Sequence, residues 1–333
     1  MNSVINIGMI EQAHPGATTA NGAAPRIVIL GSVNMDLVFR TPRMPAVGET
    51  LSGHQFLQVA GGKGANQAVA AARQGGQVRL LARVGDDGMG QQLLSALAQD
   101  GIDISALHRV AGVATGVAGI LVDDSGQNAI VLAAGANAHM GVPEVVEQAA
   151  AITQADFLVC QLETPLAGVS HAIGLAHAAG VPVIFNPTPM QALSPALLAQ
   201  VAYLIVNETE AGQLSGVAVH DQASASLAAH NLLERGVARV VLTLGSQGVL
   251  LAQAGVTPPI QFMPAFAVQA LDTTAAGDTF VGTLAVGLAR GLTLAQASVQ
   301  VQAAAAISVT RLGAQSSIPQ RAEVEAFLAQ QAE

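Results

Sequence analysis

Short apolar runs alternate with longer helical segments along most of this 333-residue chain, and this alternation constrains the fold most strongly. The apolar runs predict buried strands at residues 27–30, 78–81, 157–160, 183–185, 203–206, 240–244 and 249–252. Helices are predicted between most of them, at residues 65–74, 89–99, 165–179 and 224–235. Strands that alternate with helices require right-handed crossovers. The pattern therefore predicts an α/β fold with a mostly parallel central sheet flanked by helices.

Two regions interrupt this alternation. Residues 33–40 with 49–59, and residues 116–123 with 127–133, predict two antiparallel strand pairs, and the turn at 124–126 joins the second pair. We expect these pairs to form a small β-sheet lid, built from about residues 33–59 and 112–135 inserted in one domain over residues 25–333. Residues 1–24 show no sustained period and predict a flexible tail. Residues 277–310 predict an alanine-rich helical run.

Composition excludes several classes of protein. Apolar residues make up 51% of the chain, yet no apolar stretch reaches the about 18 residues of a membrane span. A net charge of −9 disfavours nucleic acid and anionic lipid as partners. The single cysteine, Cys160, excludes an internal disulfide framework and a multi-cysteine zinc site. With no signal-peptide pattern at the start, we expect a cytoplasmic protein.

The strongest candidate for chemistry is the segment LDTTAAGDTF at residues 271–280, which leads into a helix of small residues. Backbone N–H groups at a helix N-terminus attract anions, and small residues let a ligand approach them. A carboxylate at Asp278 could accept a proton from a hydroxyl held nearby. An Asp in a first helical turn also stabilises a helix as a cap, and this simpler role carries about equal weight.

A second candidate is the glycine-rich turn GGKGANQ at residues 61–67. It is not a phosphate-binding P-loop, because Gly64 stands where Ser or Thr should follow the lysine. The glycines could let the backbone approach a polyol while Lys63 and Asn66 bond its hydroxyls. Lysine is usually a solvated surface residue. Here it is the only lysine beside 12 arginines, which favours a specific role.

Further polar residues follow predicted strands, where open α/β sheets bind ligands. Asn34 and Asp36 follow the first strand, Glu163 follows the strand at 157–160, and Asn207 and Glu210 follow the strand at 203–206. Acidic residues at 208–210 are also ordinary stabilisers of a helix start. The segment 243–248 favours a hairpin turn over a nucleotide contact. The eight histidines show no metal-ligand spacing and predict no site.

Together these motifs resemble the ribokinase-like carbohydrate kinase family over residues 26–330. The resemblance rests on GGKGANQA at 61–68 and DTTAAGDTF at 272–280. It implies a ribokinase-like fold and ATP-dependent phosphorylation of D-ribose at the 5-hydroxyl. It further implies Mg²⁺ as the metal of the nucleotide, K⁺ as an activating ion, and a homodimer that pairs the lids of two subunits.

The resemblance also assigns roles residue by residue. Asp278 matches the catalytic base, and Ala275, Ala276 and Gly277 match the anion hole. The sugar-binding positions are Asn34, Met35, Asp36, Gly62, Lys63, Gly64, Ala65, Asn66, Glu163 and Asp278. The nucleotide positions are Asn207, Glu210, Thr243, Leu244, Gly245, Ser246, Gln247, Gly248, Gly277, Asp278 and Gln302. The monovalent-ion ligands are Asp272, Thr274, Ser308, Arg311, Gly313 and Ser317. At position 302 the family commonly has His or Asn, so Gln302 departs from its pattern.

Two alternatives remain at this stage. The nearer one is another kinase of the same family, acting on fructose, deoxyribose or a nucleoside. Asp36, Asn66 and Glu163 favour a small polyol, and a panel of substrates would decide among them. The more distant one is a non-catalytic sugar-binding protein, against which Asp278 and the turn at 275–277 argue. A dinucleotide dehydrogenase fits less well, because no G-x-G-x-x-G follows the first strand.

Overall fold

The computed structural model describes residues 23–331. Its strands are β1 Arg26–Leu30, β2 Asn34–Thr41, β3 Gln55–Gly61, β4 Gln77–Gly85, β5 Leu107–Val110, β6 Gly116–Asp123, β7 Asn128–Ala133, β8 Phe157–Cys160, β9 Val183–Phe185, β10 Tyr203–Asn207, β11 Arg239–Thr243, β12 Val249–Gln253 and β13 Ile260–Met263. Its α-helices are α1 Lys63–Arg73, α2 Gly88–Gln99, α3 Val142–Glu147, α4 Ala149–Thr153, α5 Leu166–Ala178, α6 Pro195–Leu198, α7 Glu208–Ser215, α8 Gln222–Glu234, α9 Ala276–Ala289, α10 Leu294–Val309 and α11 Arg321–Gln331. The predicted tail lies almost entirely outside these described residues.

A nine-stranded sheet forms the centre of the molecule, in the order β13-β12-β11-β10-β9-β8-β1-β4-β5. The strands from β11 to β5 run parallel, whereas β12 and β13 pair antiparallel at one edge. The predicted α/β fold with a mostly parallel sheet flanked by helices is therefore confirmed. The sequence pattern missed β5 and β13, which are edge strands with several polar or exposed positions.

Side-chain alternation along each central strand divides the core into two layers. In β1, Ile27 and Ile29 join the core that contains α1, α9 and α10, while Val28 and Leu30 join the core that contains α5 and α8. All four side chains are buried, and full burial of one such side chain contributes about 1.5–3 kcal/mol to folding. Because both faces are covered, β1 has no polar alternation, as expected for a parallel strand.

A separate four-stranded sheet has the order β3-β2-β6-β7. The pairs β2–β3 and β6–β7 are antiparallel, as predicted, and β2 and β6 join them in parallel. We call these four strands the small sheet. They lie in the two segments that the sequence placed in a lid, except that β3 continues two residues past residue 59.

The predicted helical run at 277–310 is two helices rather than one. α9 ends at Ala289 and α10 begins at Leu294. Gly291 between them has φ +84°, a conformation that favours glycine, and the hydroxyl of Thr293 caps α10 by accepting from the N–H of Gln296. The small residues of both helices allow close packing against each other and against α1.

The described chain contains neither a membrane-spanning helix nor an accessible cysteine. Among residues 23–331, no helix combines the length and apolar character needed to cross a membrane. Cys160 lies fully buried in β8, and burial raises the pKa of its thiol. This thiol is therefore protonated and unreactive at neutral pH.

Candidate active site

The polar residues singled out in the sequence gather at one edge of the central sheet. β1, β8, β10 and β11 are parallel, so their carboxyl ends lie side by side. Asn34 and Asp36 follow β1, Glu163 follows β8, and Asn207 ends β10. α1 and α9 bring Lys63 and Asp278 to the same place through their N-terminal turns.

Asp278 is buried in the first turn of α9, where two amides from α1 hold its carboxylate. Asn66 Nδ2 donates to Asp278 Oδ2 at 2.9 Å, and Gln67 Nε2 donates to Oδ1 at 3.0 Å. α1 and α9 lie very close together, because a Cβ on Gly282 would come within 2.4 Å of the carbonyl oxygen of Gln67. Each oxygen of Asp278 keeps a lone pair for another donor. The carboxylate is thus oriented but not saturated.

The turn before α9 is the strained part of the site. Ala275 has φ +60°, the only positive φ of a non-glycine residue among residues 23–331. This conformation costs about 1–2 kcal/mol for a residue with a Cβ. The N–H groups of Ala275, Gly277 and Asp278 donate to no acceptor in the described chain, whereas the N–H of Ala276 donates to Thr273. Three free donors at a helix N-terminus make an anion-binding cradle.

Glu163 is the centre of a second network. Its Oε2 accepts hydrogen bonds from the hydroxyl of Ser32 at 2.5 Å, from the N–H of Lys63 at 3.2 Å and from Asn34 Nδ2 at 3.3 Å. Within the described chain, Glu163 Oε1 accepts none. Gly62 allows the chain to reach this network, because it has φ +89° and a Cβ would come within 2.6 Å of the N atom of Asn34.

Lys63 lies among four carboxylates. Burial alone would lower the pKa of its ammonium, but Asp278, Glu163, Glu210 and Asp36 together raise that pKa above its ordinary value. Lys63 is therefore charged at neutral pH. The prediction that it is not a simple surface residue agrees with this environment.

Asp36 has the most perturbed carboxyl group of the site. Its pKa is raised to about 7, mainly by desolvation and further by the negative charges of Glu163 and Asp278, while Lys63 opposes the rise. A carboxyl group with this pKa is partly protonated near neutral pH. Perturbed groups that gather at a cleft are typical of functional sites.

Asn207 and Glu210 form a capping box at the start of α7. The N–H of Glu210 donates to Asn207 Oδ1 at 2.9 Å, and the N–H of Asn207 donates to Glu210 Oε2 at 3.0 Å. The hydroxyl of Thr188 donates to the other oxygen, Oε1. Glu210 is buried, yet its electrostatic effect reaches Lys63. Both the simpler stabilising role and a ligand role are therefore compatible with this geometry.

The remaining nucleotide candidates lie on two elements. Residues 243–248 connect the antiparallel strands β11 and β12 through a 3₁₀ turn, Gly245–Gln247, which is the hairpin that the sequence favoured. Gln302 is buried in α10, and its Oε1 has no hydrogen-bond partner in the described chain. The contact of these residues with a nucleotide stays a prediction.

The predicted ion ligands come from two loops that touch. The N–H of Gly313 donates to Asp272 Oδ2 at 2.9 Å, and Thr274 donates to Oδ1 from both its N–H and its hydroxyl. Although burial disfavours its charge, these donors keep the pKa of Asp272 below its ordinary value. The guanidinium of Arg311 instead pairs with Glu323, so only its backbone can serve the site.

The oxygen atoms of these two loops fit a monovalent cation as ligands. The carbonyl oxygens of Thr274, Arg311 and Gly313 accept no hydrogen bond within residues 23–331. Unused carbonyls suit a weakly hydrated cation such as K⁺. The hydroxyls of Ser308 and Ser317 donate to Ala305 and Ala314, which leaves their lone pairs free. In the same described chain, no group of three or more His, Cys, Asp or Glu side chains could hold a metal ion by itself.

Several polar residues of the site were missed by the sequence pattern. Gln67 lies inside the glycine-rich motif, and its own Oε1 accepts from Gln161 at 2.5 Å. Ser32 and Thr188 orient the two glutamates. Asn137 is buried beside Asn34 and donates to its Oδ1 at 2.7 Å. Gln67 and Ser32 stand next to predicted residues, which was the only signal; the others come together through the tertiary fold.

Comparison with known proteins agrees with this arrangement. The family described as pfkB family carbohydrate kinase matches residues 24–321. The ribokinase of Haemophilus influenzae is 45% identical over 302 residues, which cover 91% of this chain and 98% of that protein. The ribokinase of Mus musculus is 40% identical over 320 residues, with coverage of 95% and 98%.

A solved structure extends the comparison to three dimensions. The ribokinase of Arabidopsis thaliana, complexed with ribose and ATP, superposes with a TM-score of 0.86 at 31% sequence identity. The match covers 92% of this chain and 99% of that one. With the fold and both signature motifs in place, this chain belongs to the pfkB family of carbohydrate kinases, which transfer a phosphoryl group to an alcohol.

Proposed function

We propose that this protein transfers the γ-phosphoryl group of ATP to the 5-hydroxyl of D-ribose, giving D-ribose 5-phosphate and ADP. The observation that carries the proposal is the position of Asp278. Its carboxylate is held by amides of the helix that also carries Lys63, and it lies beside free N–H groups at the start of α9. The relatives called ribokinase support ribose as the sugar.

The sugar would bind between the small sheet and the carboxyl ends of β1 and β8. Asn34 and Lys63 offer donors to its hydroxyls, and Asp36 and Glu163 offer acceptors. Asp278 then accepts the proton of the reacting hydroxyl as the new bond to phosphorus forms. Of the sugar-binding residues predicted from the sequence, Met35, Gly62, Gly64 and Ala65 would contribute backbone and packing contacts.

The start of α9 would stabilise the charge that develops on the phosphoryl oxygens. Free N–H groups of Ala275, Gly277 and Asp278 are already oriented, so they need no rearrangement in the transition state. The N–H of Ala276, also predicted for this role, would have to leave Thr273 first. In phosphoryl transfer, such positioning and charge stabilisation account for most of the catalysis.

Cations are required because the site is strongly negative. Four carboxylates surround a single ammonium, so ATP would be repelled without compensation. Mg²⁺ supplies neutralising charge on the phosphates when it is bound with ATP. Each oxygen of Glu210 accepts one protein donor and keeps one lone pair, which a water molecule bound to the metal could use. We further propose K⁺ in the loops at 272–274 and 308–317.

The small sheet would act as a lid and as the dimer surface. Ile130, Val131 and Leu132 in β7 are 54%, 74% and 48% exposed, and Phe56 in β3 is 50% exposed. A second copy of the chain would cover these apolar residues and the unpaired strand edges. We expect Val131→Asp to shift sedimentation from dimer to monomer, with Leu227→Asp on the exposed face of α8 as the control. A dimer unchanged by Val131→Asp would contradict this surface.

An ADP-release assay over pentoses, hexoses and nucleosides tests the function. We expect the highest kcat/KM with D-ribose and background rates with Asp278→Asn. Preference for fructose, deoxyribose or a nucleoside would replace ribose by another substrate of the family. Sugar binding without ADP release would instead support the non-catalytic alternative. We also propose a cytoplasmic location for the enzyme, because the chain has a single cysteine and its thiol is buried.

A further inference from the structure

The chain crosses between the large sheet and the small sheet next to Asn137. This residue lies in the 3₁₀ turn Gly135–His139, just after β7, which is the last strand of the small sheet along the chain. It is 1% exposed, and it faces residues 33–34, where β1 gives way to β2. The amide of Asn137 therefore joins the segment that enters the small sheet at residues 33–34 to the segment that leaves it after β7.

Three hydrogen bonds hold this amide. Its Oδ1 accepts from the N–H of Val33 at 2.9 Å, and its Nδ2 donates to the carbonyl of Val33 at 3.3 Å and to Asn34 Oδ1 at 2.7 Å. A Cβ on Gly116 would come within 2.2 Å of Asn137 Nδ2 and within 2.5 Å of Asn34 Oδ1. Gly116 therefore leaves the space in which the two amides meet.

The direction of these bonds is fixed by the backbone. The oxygen and nitrogen of an amide have nearly the same shape, so an amide is oriented by its partners. The N–H of Val33 can only donate, so it must face the oxygen of Asn137. The nitrogen of Asn137 then faces Asn34 as a donor, so Asn34 must accept this bond with its Oδ1. Asn34 Nδ2 is thereby directed to Glu163 Oε2, at 3.3 Å.

This chain of bonds decides what the sugar site offers. With one N–H used by Glu163, the second N–H of Asn34 is left for a sugar hydroxyl. Glu163 Oε1, which accepts nothing within the described chain, is left as an acceptor. If Asn34 were turned over, its oxygen would face the carboxylate of Glu163, and two acceptors at that distance repel.

We propose that Asn137 is a positioning residue that fixes the amide of Asn34 as a hydrogen-bond donor to the sugar. The inference rests on the proposed sugar kinase function and adds a residue outside its two signature motifs. Asn137 reaches the sugar only through Asn34, whereas its two bonds to the backbone of Val33 fix its own amide. It therefore sets sugar affinity without touching the nucleotide.

A double-mutant cycle measured by calorimetric sugar binding tests this coupling. Asn137→Asp keeps the size and still accepts from the N–H of Val33, but it replaces the nitrogen that donates to the Val33 carbonyl and to Asn34 Oδ1 by an acceptor. The bond to the Val33 carbonyl is lost in both backgrounds of the cycle, whereas the new acceptor turns an amide over only when Asn34 is present. We expect the Kd for the sugar to rise about tenfold or more in the wild-type background. In the Asn34→Ala background, the same substitution should change the Kd less than twofold. Binding of an ATP analogue and kcat at saturating sugar should stay within twofold of wild type.

Equal effects of Asn137→Asp in both backgrounds, or no effect in the wild type, would overturn the proposal. If Asn137→Asp does not fold, Asn137→Ala is used in the same cycle, where the freed amide should still raise the Kd several-fold only when Asn34 is present. The cycle uses whichever sugar the wild type binds best, so a failure of ribose specificity is seen separately. A wild type that binds no sugar would refute the function and this inference together.

Discussion

Replacing Asp36 by Asn should stabilise the folded protein while it weakens sugar binding. The folded site raises the pKa of Asp36 from its ordinary 3.8 to about 7, mainly by desolvation. At about 1.4 kcal/mol per pKa unit, ionising this group in the fold costs at most about 4 kcal/mol. Asp36 is half-buried, so water relieves part of this cost, and we expect a gain of about 2 kcal/mol from Asp36→Asn.

The pH dependence of this gain follows from the direction of the pKa. Below about pH 4 the carboxyl is neutral in both the folded and the unfolded chain, so the variant and the wild type differ little. Between pH 4 and 7 only the unfolded chain ionises fully, and the wild type loses stability as pH rises. Above pH 7 both states are ionised and the difference stays constant. The gain should therefore grow from pH 4 to 7 and then level off.

Urea unfolding of the ligand-free protein at pH 4.5, 6, 7.5 and 8.5 measures this gain as a free energy of unfolding. Asp221→Asn is the matched control, because hydrogen bonds from Ser224 lower the pKa of that exposed carboxylate. Its substitution should instead lose stability at neutral pH, and the loss should vanish on acidification. A gain for Asp36→Asn that is the same at every pH, or absent at pH 8.5, would refute the reasoning.

Three further predictions concern the reaction. Asp278→Asn should lower kcat by about 10²–10⁴ with the fold and the sugar Kd largely kept, and it should lower the melting temperature, because its new N–H₂ faces one of the two amide donors of α1. A kcat within threefold of wild type would remove this residue from the chemistry. Acylation of the lone Lys63, followed by peptide mass mapping, should abolish activity in proportion to labelling, and D-ribose with a non-hydrolysable ATP analogue should slow the labelling. Full activity after quantitative acylation would make Lys63 a surface residue. Replacing K⁺ by Na⁺ or a bulky organic cation should slow turnover through the loops at 272–274 and 308–317; equal rates in all three salts would contradict the ion site.

Most of the fold was predictable because its central strands are buried on both faces. β1 and β8 are short continuous apolar runs between predicted helices. Runs of this length suit a buried strand and are too short for a typical helix. The edge strand β5 carries His108 and Arg109 in its middle and was missed, since an exposed edge needs no apolar pattern. Short helices such as α4 were missed because five residues hold too little periodicity.

The site was predictable only where its residues stand in local motifs. Lys63 lies in a glycine-rich turn between β3 and α1, and Asp278 lies in a run of small residues at the start of α9. Both patterns mark a backbone that a ligand can approach closely. Asn137 stands in a segment with no such mark, and its importance comes from Val33 and Asn34, more than 100 residues earlier. A partnership of this kind depends on the tertiary fold, and sequence spacing does not contain it.

The way in which the carboxylates are oriented supports the proposed dependence of the site on cations. Neutral groups orient three carboxylates of the site. Two amides hold Asp278. A hydroxyl, an amide and a backbone N–H hold Glu163, whereas a hydroxyl and a backbone N–H hold Glu210. Neutral donors fix the geometry of a carboxylate, but they cancel none of its charge. An arginine in any of these places would orient equally well and would also neutralise the site. Because Lys63 is the one cationic side chain that residues 23–331 place among these carboxylates, we expect the remaining positive charge to arrive with the nucleotide. On the proposed function, phosphoryl transfer would then be favoured only when a metal ion and ATP bind together.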